Sequence, residues 1–141
     1  LLRLLLMGAV FGGLLYAGDA LQQFEIDGPD VDLSMRASQS LALAIHELTT
    51  NAVKHGALAD AAGHLSVIWR VEQGDLRLVW DETGLSDLPT PTRVGFGSNV
   101  VRNAVERQLR GTLDMEFRPE GLRCAITVPH RLLRDEETKD D

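Results

Sequence analysis

The stretch Leu41-Ala-Leu-Ala-Ile-His-Glu-Leu-Thr-Thr-Asn-Ala-Val-Lys-His-Gly56 decides how the rest of the chain is read. At about 100° per residue, Leu41, Ala44, Ile45, Leu48 and Ala52 fall in one apolar stripe, while Glu47, Asn51, Lys54 and Leu58 follow one another on an adjoining stripe. The spacing predicts a helix with a core face and a neighbouring polar face. An acid, a carboxamide and an amine in line suit a Mg²⁺-phosphate ligand, with oxygen donors for the hard cation and an ammonium for the phosphate charge. An amphipathic helix with a solvated polar edge has the same spacing, so the remaining segments must decide between the two.

The 141 residues are 44% apolar and 25% charged, the range of one globular domain with a real core. A formal charge of −7 argues against a nucleic-acid partner, because phosphate backbones are bound through Lys and Arg. The single cysteine, Cys124, can form no internal disulfide and fits a reducing, cytoplasmic setting. His46-Glu47 begins like a zinc-binding HExxH, but Thr50 stands where the second imidazole is needed, which excludes that reading.

Residues 1–16 (LLRLLLMGAVFGGLLY) are almost wholly apolar yet shorter than the roughly 20 residues of a bilayer span. They are expected to form a buried helix within a segment 1–20, the tail of a preceding dimerisation and acceptor domain; a membrane contact or a signal peptide are the alternatives. The principal domain is placed at 21–130. Leu21–Ile26 reads as a short strand, Asp27-Gly28-Pro29-Asp30 as a turn and Val31–Leu33 as a brief extended piece. Ser34 or Asp32 can cap the long helix, which ends near Gly56.

Leu65, Val67, Trp69 and Val71 alternate with Ser66, Ile68 and Arg70, and after a turn at Gln73-Gly74-Asp75 Leu76, Leu78 and Trp80 alternate in the same way, a hairpin with one buried face. The same parity points Glu82 inward and Asp81 outward, and an inward carboxylate needs a partner. Leu85–Val94, with two prolines, reads as a loop able to fold over a ligand. Gly95-Phe-Gly97 then opens a helix through Ser98 or Asn99, with Val100, Val101, Ala104, Val105 and Gln108 at helical spacing; such a turn presents free amides to phosphate. Leu113, Met115 and Phe117 line one strand and Leu122, Cys124, Ile126 and Val128 another. Residues 131–141 are charged, lack a core pattern and read as a frayed tail or linker.

Taken in order, the Glu47/Asn51/Lys54 helix, the strand ending in Glu82-Thr-Gly84, the glycine turn and the closing hairpin resemble the catalytic ATP-binding domain of sensor histidine kinases. More narrowly they resemble the HWE family, named for a histidine in the N box and a Trp-x-Glu, here His46 and Trp80-Asp-Glu82. The resemblance covers roughly residues 21–129 and implies an α/β sandwich, a mixed sheet with helices packed on one face, of the Bergerat type. It implies that Asn51 coordinates Mg²⁺ with Glu47 beside it, that Lys54 touches phosphate and that His55 borders the nucleotide. Glu82 would read the adenine amine, Gly84 would give the base room, and Gly95, Gly97, Ser98 and Asn99 would approach the phosphates.

The sequence departs from the family in Glu82-Thr-Gly-Leu-Ser86, where Gly-Gly-Pro tends to follow the acid. His46 lies off the Glu47/Asn51 face and is left between a structural hydrogen bond and an interface role. No phospho-accepting histidine is evident. The implied partners are therefore an acceptor domain outside this chain, through which a homodimer would form, and a response regulator. The ATPases and anti-sigma serine kinases of the same fold remain alternatives, as does a degenerate interaction domain.

Overall fold

A computed structural model describes Leu2, Gly8, residues 24–85 and residues 96–134. Strand β1 (Phe24–Asp27) leads into helix α1 (Met35–His55), strands β2 (His64–Glu72) and β3 (Asp75–Thr83), helix α2 (Phe96–Arg102) and strands β4 (Thr112–Arg118) and β5 (Gly121–Val128). The strands form one mixed sheet in the order β1-β2-β3-β5-β4, in which β1 runs parallel to β2 and every other pair is antiparallel. The helical crossover through α1 is what a parallel β1–β2 pair requires. The expected mixed sheet with helices on one face is the fold observed.

Ser34 is the N-cap of α1, and its hydroxyl accepts from the Ala37 amide at 3.0 Å. The buried stripe of α1 is Ala37, Ser40, Leu41, Ala44, Ile45, Leu48, Thr49 and Ala52, which contains all five apolar positions expected. Each fully buried Leu or Ile contributes roughly 1.5–3 kcal/mol. This stripe packs on a sheet face whose cross-strand rows include Trp69–Leu78–Ile126 and Val67–Trp80–Cys124. Leu2 is helical and also fully buried in this core. The opposite face carries Ser66, Ile68, Arg70, Arg77, Val79, Asp81 and Arg123, and no described helix covers it.

Val31–Leu33, expected as a brief extended piece, joins no strand: Val31 turns into the core, and the Ser34 amide donates to the Leu133 carbonyl. Four expectations are corrected. Val71 and Phe117 share the parity of core residues but lie at strand ends, beyond the helices' cover, and are 46% and 45% exposed. Leu58 leaves the polar stripe once α1 stops and joins the core. Leu133, placed in the charged tail, is buried where a 3₁₀ turn at His130–Leu132 returns the chain to the core.

Fourth, the second helix does not keep its 3.6-residue period. From Asn103 to Gln108 it widens to a π-helix, with the Leu109 amide bonded to the Ala104 carbonyl at 3.1 Å. The wider turn moves the next buried position from Gln108 to Leu109. Gln108 is turned out, where its Oε1 accepts from the Ser40 hydroxyl at 2.9 Å and ties the π segment to α1.

Candidate functional site

The polar face of α1 ends beside an open cavity of about 410 Å³ lined by Lys54, His55, Gly56, Ala59, Asp60, Ala61 and Leu85. Lys54 and His55 are exposed there, while Asn51 and Glu47, half-buried, lie roughly one and two turns back along the same face. None of the four has a hydrogen bond or ion pair to another described side chain, so their polar groups are available to a ligand. Asn51 and Glu47 do not line the cavity itself.

Glu82 lies next to this cavity, below the end of α1. It faces inward as strand parity requires, is 2% exposed and stands opposite Leu65 of β2. Its two oxygens have different partners: Oε1 accepts from the Ala57 amide at 2.9 Å, and Oε2 accepts from the Trp80 indole at 3.0 Å. Burial pushes its pKa up from 4.5; the Ala57 and Trp80 hydrogen bonds oppose that rise, and neighbouring Asp81 adds to it. Gly56, which lines the cavity, lies directly against the carboxylate, and a Cβ there would stand 2.1 Å from Oε1. Its φ of −118° is open to any residue, so glycine is needed at this position for space.

The end of β3 is pinned from the other side. The Arg118 guanidinium pairs with Asp81 and also reaches the carbonyls of Glu82 and Gly121, each at 3.3 Å. Gly84 has φ +82°, and a Cβ on it would meet the Ala62 carbonyl oxygen at 2.2 Å. The room it leaves therefore admits the loop that follows α1, a requirement of the fold. Cys124, opposite Trp80, is buried with its thiol pushed up to about 12, chiefly by desolvation, and is no nucleophile.

The structure brings Lys54, His55 and Glu82 together around the end of α1, with Asn51 and Glu47 on the same helix. Gly95 lies outside the described residues, as does most of the 85–94 loop. Helical structure is already present at Phe96, so Gly97, Ser98 and Asn99 lie within α2 and neither Ser98 nor Asn99 precedes it as a cap. Asn99 is exposed. His46 is exposed on α1 and has no partner among the described residues. Among the described residues no three His, Cys, Asp or Glu side chains cluster as a metal cage, and no helix is long and apolar enough to cross a membrane.

Sequence reasoning missed Gly56, Ala57 and Arg118 as supports of Glu82. Strand parity and the motif both single out Trp80, but not its bond to Glu82. The available signal was its position two residues before an inward acid, which puts an indole N–H and a carboxylate on one strand face.

No family model matches the chain. It is 40% identical over 105 residues to a blue-light-activated histidine kinase of Rhizobium johnstonii, a match covering 73% of this chain and 30% of that protein. It is 35% identical over 117 residues to blue-light-activated histidine kinase 1 of Erythrobacter litoralis, covering 81% and 32%. The chain thus spans about a third of the length of these relatives, the remainder of which lies outside the match.

Among solved structures, the histidine kinase domain of an Erythrobacter litoralis blue-light-activated kinase superposes with a TM-score of 0.74 at 22% identity, over 92% of this chain and 63% of that one. The ATP-binding domain of PrrB from Mycobacterium tuberculosis gives 0.64 at 19%, over 91% and 93%. These likenesses bear out the resemblance carried by His46, Trp80 and Glu82. In sequence the chain is similar to about a third of these blue-light-activated histidine kinases, and its fold is that of the histidine kinase catalytic domains.

Proposed function

We propose that this chain binds Mg²⁺-ATP at the end of α1 and transfers its γ-phosphoryl to a histidine of an acceptor domain outside the chain, in the cytoplasm, from which the phosphate passes to a response-regulator aspartate. The observation that carries the reading is the buried Glu82 carboxylate, held beside a cavity that Lys54 and His55 line. Glu82 accepts from the adenine amine, His55 borders the nucleotide and Lys54 meets phosphate. Gly97 and the amides of Ser98 and Asn99, with Gly95 before them, approach the phosphates.

The donor set at Asn51 and Glu47 fits Mg²⁺. Two oxygen donors sit on one helix face without described partners, and this cation takes one or two protein oxygens and completes its shell with phosphate and water. When bound, the ion neutralises charge on the phosphates. The chain's own residues orient the nucleotide, and the imidazole acceptor supplies the nucleophile from elsewhere.

Calorimetric titration of Asn51→Ala with ATP tests this. The substitution lies off the apolar stripe and should leave the fold intact while abolishing Mg²⁺-dependent ATP binding. Unchanged affinity would remove the proposal.

A further inference from the structure

The geometry points to Trp80 as the residue that aims Glu82: its indole N–H, bonded to Oε2, fixes the rotation of the carboxylate and keeps it an acceptor for an amine-bearing base. The inference deepens the reading of Glu82 given above and rests on it. Trp80 acts through Glu82 and is a positioning residue.

Three features carry it. First, Trp80 and Glu82 share one face of β3, and Trp80 is fully buried between Val67 and Cys124 on the flanking strands, so the ring cannot turn away. Second, the terminal torsion of a glutamate is broad, and only external donors fix it. Here one donor comes from the strand itself and the other, the Ala57 amide, from the loop beyond α1. Third, the demand is reciprocal. An indole is a donor only, and without Glu82 this one would be buried unsatisfied.

The two bonds use one lone pair on each oxygen and leave the others for a ligand amine. Phenylalanine at 80 would fill much of the same volume with no N–H. Glutamine at 82 would offer one acceptor oxygen to two converging donors. Hydrogen bonds to the charged form also favour it, so Trp80 helps hold Glu82 ionised against its burial.

The test compares ATP with purine riboside 5′-triphosphate, which lacks the 6-amine, as ligands of the native chain, Trp80→Phe and Glu82→Ala. The native chain should prefer ATP. Trp80→Phe should bind ATP roughly tenfold more weakly, the loss expected when one charge-assisted hydrogen bond is misaligned, and purine riboside triphosphate almost as before. If the preference collapses in Glu82→Ala but survives in Trp80→Phe, Trp80 does not aim the carboxylate. If it survives in Glu82→Ala, Glu82 does not read the base and the underlying reading falls instead.

A measurement on the native chain needs no folded variant at position 80. Of the two indole N–H resonances, that of Trp80, assigned by difference from Trp69→Phe, should shift on saturation with ATP and shift less with purine riboside triphosphate. A Trp80 resonance unmoved by saturating ATP overturns the inference.

Discussion

Replacing Gly56 with alanine tests whether the end of α1 is shaped around the Glu82 carboxylate. The added Cβ would stand 2.1 Å from Oε1 and 2.8 Å from the Ala52 Cα, both well inside van der Waals contact. Because the backbone at residue 56 is in an ordinary region, the exchange brings no conformational strain, and the stiffer unfolded chain alone would stabilise the variant by about 0.4–1 kcal/mol. Against this, the carboxylate must leave the Ala57 amide, and a charge-assisted hydrogen bond contributes about 1.5–3 kcal/mol. The net expectation is a loss of about 0.5–2.5 kcal/mol, read as a lower urea midpoint at unchanged slope.

The same substitution in a Glu82→Ala background should cost less, since the nearer of the two atoms it meets is gone while the Ala52 Cα remains; contacting residues of this kind couple by about 0.5–3 kcal/mol. A Gly56→Ala protein as stable as the native chain, or losses that add to within about 0.5 kcal/mol, would refute the steric argument.

Two further predictions concern titrating groups. Raising the Glu82 pKa in the folded state makes the native protein hold that proton more tightly than the unfolded chain. This contribution to stability is therefore full below pH 4.5 and is lost as pH rises through the folded-state pKa. The difference in unfolding free energy between the native chain and Glu82→Gln should move in favour of the variant as pH rises from 4.5 through the folded-state pKa, and a flat difference would show that the carboxylate is not so perturbed. Cys124, buried and pushed up to about 12, should resist iodoacetamide in the folded protein and react once urea unfolds it; rapid labelling without denaturant would contradict its place in the core.

What could be read in advance was whatever leaves a local period. The α1 stripe, the alternation of β2, β3 and β5, and the inward parity of Glu82 follow from repeats of 3.6 and 2 within single elements. The features that escaped join distant segments. Gly56 carries the local mark of a helix end, yet its sterics are set by residue 82. The π turn at Asn103–Gln108 breaks the period used to find the helix. Leu133 sits in a charged stretch, and only packing marks it as core. Within the site, Glu82 and the polar face of α1 were legible; the donors that hold Glu82 were not, because hydrogen bonds across the fold have no sequence spacing.

The Ser34–Leu133 bond gives α1 a second point of attachment. At its start the helix is tied to the turn that follows β5, and at its end to β3 through Ala57 and Glu82. It is a beam supported at both ends, and the Glu47–Asn51–Lys54 face lies along the span. Neither end can fray without breaking a contact to another part of the fold. A displacement of Leu133 therefore reaches the first turn of α1 directly through the Ser34 amide, at the end of the helix away from Glu82.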